Sequence, residues 1–228
     1  MYCDACFNLG LSESVRLVAH LYSLRDDANV VGQARFGIAS KVEQLGIAMP
    51  VLRALARSHR RNHALALELW ASGIHDARVL ATLVENPNQI TRAQMDQWVR
   101  DADNWALTDA LAFLFGRTDF AEAKARAWSA RKGEFVKRTG FAMMAGMAVH
   151  RQELPDEIFL GFLPVIAREA TDERNVVKKA VNGALRQIGK RNPALRRAAM
   201  AEAQRIGKLD SRAARWIATD ALRELSEL

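Results

Sequence analysis

The sequence predicts an all-α fold in which about a dozen helices stack as antiparallel pairs, the α-solenoid arrangement of HEAT-type repeats. Three observations carry this. Apolar residues recur at helical rather than alternating spacing along the chain, and no segment reads as a strand. The periodic segments are about 10 to 18 residues long, the length of ordinary globular helices. Their connections are about two to six residues, short enough to force neighbouring helices antiparallel. No repeat of fixed length, on the order of 40 residues, is visible, so the expectation rests on helix length and count.

The elements follow in order. Helical spacing runs through 11–24, 50–60, 63–73 and 75–85, where Asn86-Pro87-Asn88 closes the series with residues that favour turns. Thr91 is placed to cap 91–102, because its hydroxyl can accept from an orphan backbone N–H of the first turn. In 104–115, Leu107, Ala110, Leu111 and Leu114 form one apolar stripe, and Gly116 ends it. Segments 119–131 and 133–150 follow, and Leu154-Pro155 opens 155–170. Asp172 is placed to cap 173–190, Asn192-Pro193 opens 193–207, and Ser211 caps 211–226. With 228 residues the chain can bury a sizeable core as one continuous array, and residues 1–228 are read as a single domain whose first ten residues fray.

Composition narrows the function classes. Half of the residues are hydrophobic (50%) and about a quarter are charged (26%), ordinary globular usage that argues against long disordered tails. Thirty-three Lys and Arg against 26 Asp and Glu leave a net charge of +7, a surplus suited to a polyanionic partner. No run of about 18 apolar residues predicts a membrane span, and no basic-then-apolar leader predicts secretion, so a soluble, cytoplasmic protein is expected. The two cysteines, Cys3 and Cys6, form a CxxC at the amino terminus. A zinc site needs two further ligands at suitable spacing and a thioredoxin-like site needs a preceding strand; with neither visible, the pair reads as part of a frayed end, and no metal or cofactor is expected.

Candidate functional residues are those that helical spacing places away from the core. Trp105 and Asp109, an i,i+4 pair, project together from the side opposite the Leu107 stripe. A neighbouring layer covering Trp105, with Asp109 merely solvated, is the plain alternative. Lys137 and Arg138 lie in the first turns of a helix that is otherwise almost wholly apolar, so their charges must reach an edge or groove. Phe135, Met143, Met144 and Met147 read as packing residues of that helix. With Lys178, Lys179, Arg186, Lys190 and Arg191 the two cations would form a basic surface fit for phosphates. The loop 57–63, RSHRRNH, is a further basic cluster that also reads as a solvated turn.

One residue is out of place. In 173–190, Val177, Ala180, Val181, Ala184, Leu185 and Ile188 make the core stripe, while Lys179, Gly183, Arg186 and Lys190 stack on the opposite side. A mid-helix glycine costs roughly 1 kcal/mol against alanine, and nothing in the local pattern calls for one.

The runs RFGIASKVEQLGI, LRALAR, LELWASGIHDARVLATLV, DNWALTDALAFLF, EFVKRTGFAMMAG, DERNVVKKAVNGALRQIGKRN and ARWIATDALREL, taken in order, resemble the DNA alkylation repair family, the AlkD-like HEAT-repeat DNA glycosylases. The resemblance covers nearly the whole chain from about residue 28. It implies a right-handed superhelix with a concave, basic face that grips double-stranded DNA as a monomer, and excision of cationic N3- and N7-alkylated purines by hydrolysis of the N-glycosidic bond. It implies that Asp109 is the catalytic carboxylate, positioning water and stabilising an oxocarbenium-like sugar. Trp105 would pack on the sugar and backbone, and Arg138 would contact phosphate. Where the family carries a second tryptophan wall this chain has Gly183, and where relatives commonly have aspartate it has Ala106. Those departures keep open a second expectation, a non-catalytic binder of damaged or branched DNA. A helical protein-interaction scaffold, which the fold alone would permit, is a third that the basic face does not favour.

Overall fold

Helix follows helix through the described residues, 12–228 of a computed structural model, and no strand occurs among them. Cys3 and Cys6 lie outside the described residues. The chain divides into two compact units, one ending at Gln89 and one spanning Ile90–Leu228.

In the first unit the helices are α1 (Glu13–Ser23), α2 (Asp27–Arg35), α3 (Met49–Ala56), α4 (His63–Ala71) and α5 (His75–Val84). Leu21, Leu45, Leu52, Leu69, Leu80 and Val84 supply much of its buried core. Helix α2 has no counterpart in the apolar periodicity, because it buries none of its residues and so carries no stripe; Asp26, accepting from Asn29 N, starts it. The long connection before α3 is fixed by one buried carboxylate. Asp76, at the start of α5, accepts from Leu45 N at 2.7 Å and from Ile47 N at 2.8 Å. Although burial alone would raise its pKa, His75 and these two backbone donors hold the Asp76 carboxyl below the ordinary value.

The second unit contains α6 (Arg92–Asp101), α7 (Trp105–Phe115), α8 (Ala121–Ser129), α9 (Glu134–His150), α10 (Asp156–Leu160), α11 (Leu163–Glu169), α12 (Asn175–Lys190), α13 (Pro193–Ile206) and α14 (Arg212–Ser226). Helices α6 and α7, α8 and α9, α11 and α12, and α13 and α14 pack as successive pairs, and the second members, α7, α9, α12 and α14, pack in turn on one another. The predicted caps at Thr91 and Ser211 are made, by hydrogen bonds to Gln94 N and Ala214 N. Two expectations are corrected. The segment 155–170 is broken between α10 and α11, where Gly161 ends one helix and Pro164 sits in the first turn of the next. Asp172 is not the N-cap of α12, which starts after Arg174; its carboxylate instead accepts from Arg174 N and from two cationic side chains.

Close approach of α8 and α9 requires Gly140. A Cβ there would stand 2.6 Å from Ser129 N and 2.8 Å from Ala125 O, so α9 lies tightly against α8 and its charged first turns are carried toward α7 and α12. All six residues of the predicted α12 stripe are buried, and Asn182 and Gly189 join them.

Candidate nucleic-acid interface

Apart from the loop 57–63, which belongs to the first unit, the candidate residues lie on α7, α9 and α12 or, for Arg191, just past the end of α12, and α14 packs beside α12. Asn104 caps α7 by accepting from Leu107 N at 3.0 Å, which sets the helix phase. Leu107, Leu111 and Leu114 are fully buried, so Trp105 and Asp109 emerge on the other side, both half-buried. Ala110, expected in the stripe, is half-buried, as is Ala106. From α9, Arg138 reaches across and forks onto Asp109, donating from Nε to Oδ1 at 3.1 Å and from Nη2 to Oδ2 at 2.9 Å. Its Nη1 donates to the carbonyl of Val176 on α12 at 2.7 Å, and its guanidinium carbon lies 6.0 Å from the Trp105 ring centre. One arginine, with only 11% of its side chain exposed, thus ties three helices together and holds the carboxylate in one orientation.

The Asp109 carboxyl is pushed above its ordinary value. Desolvation in the recess is the larger influence, and it outweighs the Arg138 charge and hydrogen bonds, which pull the other way. The side chain nevertheless keeps 42% of its surface exposed, so the carboxylate is crowded by protein on one side and open on the other.

The basic residues separate into engaged and free. Lys137 is 11% exposed, and its ammonium donates to Glu169 at 2.6 Å and Asp172 at 3.1 Å. Arg174 first, then Lys137, bring the Asp172 carboxyl down to about 2. Arg186 pairs with Asp220 at 3.0 Å and Glu224 at 2.6 Å, and Lys190 pairs with Glu224 as well. Arg191 is drawn inward, donating to the carbonyls of Ala148, Gln152 and Leu154. Lys179 is exposed with no such partner among the described residues, and Lys178 places its ammonium 5.0 Å from the ring centre of Trp216. The outward side of α12 is therefore less positive than its own sequence suggests, because α14 brings carboxylates against half of it.

Gly183 lies on that outward side, half-buried, and a Cβ there would meet nothing within 4 Å. The space is open, as expected for a position where a large side chain is missing. Reasoning from sequence overlooked Trp216, Asp220 and Glu224. They recur at i, i+4 and i+8 along one flank of the buried stripe Ala213, Ala214, Ile217, Ala218, Ala221 and Leu225, so the same periodicity could have found them.

Among the described residues no group of three or more His, Cys, Asp and Glu side chains is arranged to hold a metal ion, and no helix is long and apolar enough to cross a membrane.

The sequence model of a family described as DNA alkylation repair enzyme matches residues 17–225. Two uncharacterized proteins, from Listeria innocua and Listeria monocytogenes, are each 27% identical to the chain over 177 residues, 76% of this chain and 77% of theirs. A solved structure, from a family described as related to the HEAT-like repeat DNA glycosylases with affinity for branched DNA structures, matches with a TM-score of 0.76 over 93% of this chain and 95% of its own, at 19% identity. At that identity the likeness establishes the all-α, HEAT-like fold.

Proposed function

The chain belongs to the DNA alkylation repair enzyme family, and we propose that it binds double-stranded DNA across α7, α9, α12 and α14 and hydrolyses the N-glycosidic bond of cationic N3- or N7-alkylated purines, with Asp109 as the catalytic carboxylate. The observation that carries this reading is the half-open Asp109 carboxylate clamped in two places by Arg138 beside Trp105.

A carboxylate offers about four acceptor positions, of which Arg138 uses two. The remainder can orient a water and face the sugar. As the bond from C1′ to the purine nitrogen breaks, its electron pair leaves with the base, which departs neutral because it began cationic. The sugar takes on positive charge, which the fixed negative charge of Asp109 stabilises. Water then adds to C1′, and its proton passes to Asp109 or to solvent. Substrate and water balance the reaction, so the reading needs no cofactor. Trp105 offers a flat apolar wall to the deoxyribose, and two of the five guanidinium N–H groups of Arg138 are uncommitted and can meet a phosphate oxygen.

Incubation with duplex DNA containing N7-methylguanine, followed by detection of abasic sites, tests the reading. Asp109→Asn is expected to abolish abasic-site formation while DNA affinity holds or rises, since a negative charge facing phosphates is removed. Its melting temperature should barely move, because weaker bonds to Arg138 are offset by relief of a desolvated charge. An Asp109→Asn protein with undiminished excision would overturn the assignment.

The open space at Gly183 favours a second reading, a binder of damaged or branched DNA without excision. The structural neighbour is described as having affinity for branched DNA. Tight binding with no abasic sites from the unaltered protein would select it.

A further inference from the structure

Of the five tryptophans, Trp70, Trp98 and Trp128 are buried and Trp105 is half-buried at the candidate site. Trp216 on α14 alone is exposed, at 39%. An indole left in water forgoes burial worth more than that of almost any other side chain, so its position calls for a reason. Its surroundings are specific. The Lys178 ammonium stands 5.0 Å from the ring centre, within cation–π range, and the ring still keeps two-fifths of its surface open. Arg212 is exposed one turn earlier on the same helix, Arg215 is exposed but pairs with Asp210 at 3.4 Å, and Lys179 is exposed on α12 next in sequence to Lys178. The nearby acids are occupied: Glu173 accepts from Ser211 and Ala213 N at the start of α14, and Asp220 accepts from Asn182 and Arg186.

A partly open indole with a lysine at its ring and Arg212 exposed one helical turn before it is an arrangement that binds single-stranded nucleic acid, the ring stacking a base while the cations meet its phosphates. A base within an intact duplex has both faces covered by its neighbours and cannot stack on Trp216. The position also sets the place along the nucleic acid. Helix α14 is one helix spacing beyond α12, about 8–10 Å, and α12 and α9 separate it from the α7 that carries Asp109. Trp216 therefore meets a nucleotide several steps along the nucleic acid from the reacting one.

Resting on the DNA-binding reading above, we propose that Trp216, with Lys178, is a stacking platform for an unpaired nucleobase, and that the protein prefers duplex DNA carrying a single-stranded flank. The Asp109 chemistry is separate from this platform and is not required for it.

The test compares equilibrium binding of one duplex with the same duplex carrying a four-nucleotide single-stranded flank, for the unaltered protein, Trp216→Ala, Trp216→Phe and Lys178→Gln. The unaltered protein should bind the flanked DNA about tenfold more tightly than the blunt duplex. Trp216→Ala should abolish that preference while leaving blunt-duplex affinity within about twofold, and Trp216→Phe should keep most of it. Lys178→Gln should reduce it, and the intrinsic fluorescence of Trp216 should be quenched by the flanked DNA alone. Equal affinity of the unaltered protein for both DNAs, or an equal loss on both from Trp216→Ala, overturns the proposal while leaving the DNA-binding reading intact. Failure of the unaltered protein to bind any DNA sinks both. Unchanged preference for the flanked DNA in a folded Trp216→Ala protein likewise overturns the proposal.

Discussion

Two side chains decide what the site can do, and one is missing. In the proposed reaction Asp109 must be ionised to stabilise a cationic sugar, yet desolvation holds its pKa above the ordinary aspartate value of about 4. Excision should therefore fall as pH drops through that raised value. Arg138 opposes the rise, so Arg138→Met should move the acid limb of the single-turnover pH profile to higher pH, as well as slowing the reaction. A limb that stays in place would show that Arg138 does not act on the carboxylate. At Gly183 the expected outcome of Gly183→Trp is a folded protein with unchanged or slightly raised melting temperature, since the new Cβ meets nothing within 4 Å and a mid-helix glycine costs roughly 1 kcal/mol. If the missing indole limits the chemistry, single-turnover excision of N7-methylguanine should rise about tenfold, equivalent to ~1.4 kcal/mol. An unchanged rate in a folded variant would mean that no aromatic wall is wanted there.

At the scale of elements, the apolar stripes told most of what could be told. The stripe of α12 is buried residue for residue, because a long helix between two neighbours has one narrow dry side and its sequence must mark it. Helix α2 buries nothing, so periodicity could not find it; the capping Asp26 was its only signal. The break between α10 and α11 was signalled by Gly161 and Pro164, but an apolar run across both masked it. Interactions between distant segments left no periodic trace. Asp76 is an instance: its contacts with Leu45 N and Ile47 N join α5 to a connection about 30 residues earlier in the chain. Asp76→Ala would leave both buried donors unpaired, and a loss of about 2–4 kcal/mol is expected by urea denaturation. A loss below about 1 kcal/mol would mean that water or a shift of the connection satisfies them. Asp76→Asn, which keeps an acceptor, should cost less than Asp76→Ala.

For the molecule as a whole, the net charge of +7 pointed to a polyanionic partner but overstated how many cations are free to meet one. Trp105, Asp109 and Arg138 were legible together because helical spacing and the family resemblance agreed on them, and the structure brings the three into one cluster. The basic row was legible only by halves. Arg186 and Lys190 meet Asp220 and Glu224 from α14, and Lys137 meets Glu169 and Asp172, partners that a wheel drawn for one helix cannot show. This division can be measured. Each phosphate neutralised contributes about −0.9 to the slope of log K against log salt, through the release of condensed counterions. Lys179→Gln removes an uncommitted charge and should make the slope shallower by about one unit. Lys190→Gln removes a charge already paired with Glu224, which Arg186 continues to hold, so it should change the slope by less than half as much. Binding titrations between 50 and 200 mM salt, on the order of the range where such slopes are steep, would separate the two. Equal effects from the two variants would show that DNA displaces Glu224 and recruits the paired lysine, and a slope near zero in the unaltered protein would remove phosphate contacts, and with them the DNA-binding reading, altogether.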